Sequence, residues 1–367
     1  FVIGTWLVPK LIRQVGHIRA FATLASLASV TTLLHGLYLT PSLWFVLRLA
    51  AGICIVGLYI AIESWLNERS SNEERGHVFS AYMTTTLIGL GIGQLLLMTG
   101  SVDNLELFAL ASVLLSLGLV PVAMTEVKEP EIVVADRLGL RKLYAVSPLG
   151  VVGCVFAGLG TGAFWGLAPV FASAIGFDKA GVAAFMGLTI LGGIVMLWPV
   201  GRFSDGRDRR SVLTWVCALA ATGGVLTAVA TDYGTVWTLA GGFVYGSFAF
   251  SIYSLAAAHT NDHLDRSHVL EVTSSLQLVW AIGAITGPIV AGLLMQRFGA
   301  ASLMFFIGAS ALVPALFACW RMTVSEAVPV EQQGDYVPQF ATSPAALEMH
   351  PDEIAEEAAP ADEAQNT

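Results

Sequence analysis

The sequence predicts an all-α membrane bundle built from two copies of a six-helix unit, and three observations carry that reading. Only 12% of the 367 residues are charged and 55% are hydrophobic, whereas a soluble chain carries about 25% charge. So little polar surface suits a bilayer better than water. Ten apolar runs are each long enough, at about 20 residues, to cross the hydrocarbon core. Finally, "ERGHVF" at 74–79 returns as "DRSHVL" at 265–270, each time just before a long apolar run.

The ten runs lie at 18–39, 43–65, 78–99, 104–125, 147–173, 180–200, 211–231, 234–258, 269–295 and 300–320. Ahead of them, "FVIGTWLV" (1–8) reads as the end of a further apolar helix. Glycine recurs inside the runs, as in "GLGIGQ" (89–94) and "GLGTGAFWG" (158–166), which suits helices packed closely in lipid. The four cysteines stand singly in apolar runs and read as buried, inert thiols.

Loop charge sets the orientation. Fifteen of the 18 basic residues fall in loops on one side, among them Lys10, Arg13, Arg19, Lys128, Arg141, Lys142 and the cluster Arg202, Arg207, Arg209, Arg210. The opposite loops hold only Lys179 and Arg297. The positive-inside rule places the basic side in the cytoplasm. Ten of the 27 acids lie beyond Arg321, where no Lys or Arg follows. Without them 17 acids face 18 basic residues, so the body is nearly neutral and the stretch 323–367 is an acidic tail that reads as disordered. That tail argues against nucleic acid and against anionic lipid as a partner.

The repeat organises the rest. At shifts of 190–192, Gly52 meets Gly242, Ile62–Ser64 meets Ile252–Ser254, and "PKLIRQVGHIR" (9–19) meets "GRFSDGRDRRS" (201–211). Residues 1–125 then form one half, with four complete spans and the tail of another, so its first helix and most of its second are expected to be missing. Residues 126–146 form a linker and 147–322 a complete six-helix half. Parallel repeats of six spans mark one transporter architecture.

The loop "GRFSDGRDRR" resembles the signature of the major facilitator superfamily. Gly201, Asp205, Arg209 and Arg210 match it, while Gly206 and Asp208 stand where Arg and Gly are usual. In the first copy Gly16 holds, Pro9 replaces the glycine and Arg13 the aspartate. "RLAAG" (48–52) matches the Arg-x-x-x-Gly motif of the family's fourth helix, and "GAITGPIVAG" (283–292) resembles its Gly-Pro motif. "IESWLNERSSNEERGHVFSAYM" together with "WPVGRFSD" is most similar to the YcaD-like bacterial branch. The resemblance implies a two-halved bundle that transports a solute by alternating access, without cofactor or enzymatic activity. It also implies a gating role for Asp205, which would face the start of the fifth helix near Arg75–Ser80. Arg13 is then its sign-reversed counterpart, expected to face Glu271.

Arg48 is the one charge well inside a span. Such a charge costs roughly 3 kcal/mol or more at the bilayer centre and needs a partner or a wet cavity. At 100° per residue Arg48, Tyr59 and Glu63 fall within about 60° of one face. Arg48 and Glu63 stand about 22 Å apart along the axis and cannot pair. Two readings of Arg48 stay open: a cavity residue binding an anionic group or helping to move a proton, or an arginine snorkelling to the outer interface. Glu63 reads as a proton-relay or gating carboxylate, or as a solvated helix-end acid; its repeat counterpart is Tyr253. His35 reads as a satisfied interface histidine. Gln94, Trp165, Tyr245, Tyr253, Gln277 and Trp280 are aromatic or amide groups within spans that line a binding cavity or pack in the core. The seven histidines show no metal-ligand spacing, and no catalytic constellation appears. The expected function is secondary transport of a small solute across the cytoplasmic membrane by a monomer, with protons as candidate coupling ion. Sparse buried charge points to a neutral or weakly charged apolar solute, moved outward. The rival is a non-transporting membrane sensor or scaffold with the same fold.

Overall fold

The computed structural model describes residues 2–69, 72–101, 104–124, 139–263, 269–329 and 333. The helices are α1 Val2–Val15, α2 His17–Leu37, α3 Pro41–Arg69, α4 Asn72–Leu96, α5 Glu106–Ala123, α6 Leu140–Val146 and α7 Pro148–Ala174. They continue as α8 Lys179–Ser204, α9 Arg209–Ala230, α10 Thr235–Ala249, α11 Ile252–Asn261, α12 Val269–Phe298 and α13 Ser302–Val324. Every predicted span has its helix. Among the described residues nine stretches are long and apolar enough to cross a membrane, while Thr84–Thr99 of the third predicted span is a shorter apolar stretch. Two features differ from the sequence reading. The span 234–258 is broken, with α10 ending at Ala249 and α11 starting at Ile252. The stretch 126–146, read as a linker, ends in the short helix α6; its residues 126–138 lie outside the described ones, as does the tail beyond 333.

Capping explains several boundaries. Ser147 opens α7 by accepting from Gly150 N at 3.1 Å, with Pro148 in the first turn. Asp178 opens α8 through Gly181 N at 2.8 Å. Each side chain satisfies a donor that the helix leaves orphaned. On the basic side, α1 turns into α2 at Gly16 (φ 85°), and α8 turns towards α9 at Gly206 (φ 81°). A side chain is strained at such φ. Gly16 abuts α2 directly, whereas Arg207 and Asp208 intervene before α9. This two-residue difference accounts for a repeat shift of 192 at these helix starts against 190 at the glycines.

Packing is uneven along the chain. Helices α7–α13 share one large core that includes Phe164, Phe171, Phe185, Leu213, Tyr245 and Leu303. Helices α1–α3 share a smaller one around Val8, Ile12, Leu24 and Cys54. Between α2 and α5 the contact is partly polar: Ser29 Oγ lies 2.7 Å from Ser112 Oγ and 2.9 Å from Ser116 Oγ. Hydroxyls bridging helices act as glue in lipid.

The two glycine-rich stretches behave differently. In 158–166 the expected close packing is present: a Cβ on Gly158 would strike the Trp280 carbonyl, and one on Gly162 the Ala284 carbonyl. Gly283 and Gly287 of α12 press back on Val155 and Leu159. In 89–94 it is not, because Gly89, Gly91 and Gly93 have nothing within 4 Å. In the second group α7 fills the corresponding face of α12; beside α4 no described helix does so. An apolar groove of about 180 Å³, lined by His17, Phe21, Trp65 and Val122 among others, has the same origin. The repeat counterpart of Phe21 is Leu213, which closes on Gly153 of α7. The cysteine expectation also needs correction: Cys54, Cys154 and Cys217 are buried, but Cys319 is exposed on α13.

Candidate functional site

Three clusters hold the residues singled out from the sequence. The first runs along α3. Arg48 is exposed, and its guanidinium lies 6.0 Å from the centre of the Trp44 ring, within range of a cation–π attraction. Among the described residues no ion pair reaches it. Tyr59 is half-buried one turn before Glu63. Glu63 is 1% exposed and accepts from Tyr82 Oη of α4 at 2.9 Å. The reading of Glu63 as a solvated helix-end acid is therefore set aside, because packing against α4 removes it from solvent. Tyr82 was missed in the sequence reading; a tyrosine in an apolar run gives no sign of which carboxylate it meets.

His35, near the other end of α2, uses one ring nitrogen only. Nδ1 lies 2.6 Å from Thr31 O, the ring stands edge-on to Trp44 at 5.3 Å, and Nε2 is buried without a partner.

The second cluster lies in the second group. Trp165 of α7 stacks on Phe250 at the α10–α11 break, with centroids 6.0 Å apart and planes at 21°. Phe164 bridges them to Tyr245. Tyr253 meets Trp280 edge-to-face at 6.5 Å. The structure thus joins Trp165 and Tyr245 through Phe164 and Phe250, which no sequence pattern singles out. Gln94 lies elsewhere, on the α4 face towards α8: a Cβ at Gly187 would stand 4.0 Å from its Cβ. Gln277 is half-buried on α12, one turn before Trp280.

The third cluster caps the basic end. Arg209 is 2% exposed and donates to Asp262 at 2.6 Å and to Asp205 at 3.3 Å. It ties the start of α9 to the ends of α8 and α11. Arg210 grips Asp208 at 2.8 Å and donates to the carbonyls of Ser325 (2.8 Å) and Glu326 (3.1 Å) beyond α13. Arg202 and Arg207 instead lie over Trp198 and Phe203. Gly201 supplies the carbonyl that accepts from Asp205 N and Ser204 Oγ. In the first group His17 takes the helix-start place of Arg209 and lies 2.9 Å from Ser64 Oγ at the end of α3. Arg13 is exposed beside the Gly16 turn. The side chains of Glu271 and of Arg75–His77 lie outside the described residues, and with them the expected partners of Arg13 and Asp205.

A family model described as Major Facilitator Superfamily matches residues 1–269 and 150–346. The chain belongs to the Major Facilitator Superfamily. It is thus a multi-pass membrane protein of a transporter family rather than an enzyme. An uncharacterized MFS-type transporter of Yersinia enterocolitica is 28% identical over 320 residues, covering 85% of this chain and 81% of the relative. YcaD of Escherichia fergusonii, also an uncharacterized MFS-type transporter, is 25% identical over 311 residues, covering 84% and 80%. In fold the chain resembles a solved variant of the nucleoside transporter NupG, with TM-score 0.64, 14% identity and 86% of each chain covered.

Proposed function

We propose that this member of the superfamily moves a small solute across the cytoplasmic membrane by alternating access, as a monomer, and that Glu63 carries the coupling proton. The basic end, with its buried Arg209–Asp262 pair, faces the cytoplasm on the positive-inside rule and acts as the gate on that side. One observation carries the coupling role: a carboxylate 1% exposed within an apolar helix, held by a tyrosine of the next helix. An ionisable side chain buried within a membrane span is a default candidate for an ion or proton pathway. Arg48, 15 residues away, lies over Trp44 and too far along the helix to neutralise Glu63.

The test uses proteoliposomes containing a pH-sensitive dye, challenged with solute mixtures. Solute-dependent proton movement is expected from the parent chain. Glu63→Gln should abolish it while solute counterflow persists. Unchanged proton movement in Glu63→Gln would sink the coupling role, and no solute-dependent flux in either protein would sink the transport reading.

A further inference from the structure

The aromatic cluster of the second group points to a substrate class. The span that carries it is interrupted at Phe250–Ser251, between Ala249 and Ile252, with both residues keeping right-handed helical dihedrals. Beside the break Trp165 stacks on Phe250 yet stays 42% exposed, so an indole face is offered within a span. Three residues past Phe250, Tyr253 is 3% exposed and its hydroxyl has no partner; Trp280 Nε1, whose ring meets Tyr253 edge-on, is likewise buried without one. Buried donors are nearly always satisfied, so two orphans in one aromatic pair require an explanation such as a missing ligand group. Finally, 148–177, 233–258 and 272–296, the stretches that supply these side chains, hold no Asp, Glu, Lys, Arg or His. An ionised solute would find no counter-charge from them.

We propose that this cluster binds a planar, uncharged aromatic or heteroaromatic solute bearing a hydrogen-bond acceptor on its edge. The ring lies against Trp165 and Phe250, and the acceptor takes the Tyr253 hydroxyl and the Trp280 indole N–H. The assignment rests on the transport reading and narrows it from any small solute to this class. Arg48 and Glu63 lie in the other helical group and do not set the solute's charge.

Equilibrium binding of radiolabelled coumarin and quinoline to the purified full chain in micelles tests it. Naphthalene serves as a flat probe without an acceptor. Coumarin or quinoline should bind roughly tenfold more tightly than naphthalene, a hydrogen-bond-sized difference. Tyr253→Phe and Trp280→Phe should erase that preference and leave naphthalene binding unchanged. Trp165→Ala should weaken all three probes, with Trp165→Phe restoring most of the loss. Equal binding of the three probes, no saturable binding of any, or a Tyr253→Phe protein that is more stable yet keeps the preference would each overturn the proposal. The last result would assign the hydroxyl to a trapped water. The assay needs no gradient, so the two readings fail separately. Binding without flux sinks transport alone, and flux of solutes outside this class without binding of these probes sinks the substrate class alone.

Discussion

Asp208 stands where the family motif usually has glycine, and the structure gives it two tasks. It caps α9 by accepting from Arg210 N at 3.0 Å, and it holds the Arg210 side chain at 2.8 Å. Burial pushes its pKa up, but the side-chain and backbone hydrogen bonds of Arg210 and its charge outweigh that. They hold the carboxyl below its ordinary 3.8. The unfolded chain therefore takes up this proton at higher pH than the folded one. Stability from the cap is whole above about pH 5 and is lost as pH falls through the folded value. Thermal unfolding in detergent between pH 6 and pH 3 should show this acid loss. Asp208→Asn should unfold earlier at pH 6, by about 1 kcal/mol for the weakened contacts, and depend less on pH; equal slopes would refute the linkage. Motif letters singled out Asp205, Arg209 and Arg210, but not Asp262, which Arg209 meets at 2.6 Å. An acid just past the end of a span reads the same in sequence whether solvated or paired; only the fold brings α11 back to α9. Asp262→Ala removes the shorter of the two carboxylate contacts of a buried guanidinium and should cost about 3 kcal/mol, read as an earlier detergent melt.

Helices were the most legible level, because ten apolar runs of bilayer length have few other ways to fold. What composition did not carry was the break at Phe250–Ser251: "SFAFSIYSL" contains neither proline nor glycine to mark it. Nor did glycine content reveal which glycines are pressed against a neighbour. Gly287 meets the Leu159 carbonyl, whereas Gly89 meets nothing within 4 Å. Gly287→Leu should therefore force α7 and α12 apart and cost at least about 1–3 kcal/mol. Gly89→Leu in this chain should be neutral or slightly stabilising, through better helix propensity. Melting temperatures of the two variants in one detergent decide it, and equal losses would contradict the packing described.

For the molecule as a whole, the repeat predicts two related groups, while the unequal packing of the two cores became visible only in three dimensions. Among the described residues, contact between α1–α5 and α7–α13 runs chiefly through α4 and the turn after it against α8. There Gln94 faces Gly187 at a Cβ separation of 4.0 Å, inside the range a disulfide spans. Gln94→Cys with Gly187→Cys, with Cys319→Ser to remove the exposed thiol, should cross-link on oxidation. The bond should stop solute flux and release it on reduction; full flux in the oxidised protein would mean that this seam stays closed throughout the cycle. Two bodies joined along one narrow line behave as a door on a single post. Points near the α4–α8 line hardly travel when the groups turn, and displacement grows in proportion to distance from it. Helices that lie away from that line are set on longer radii, so a few degrees at the post become ångströms at their far ends.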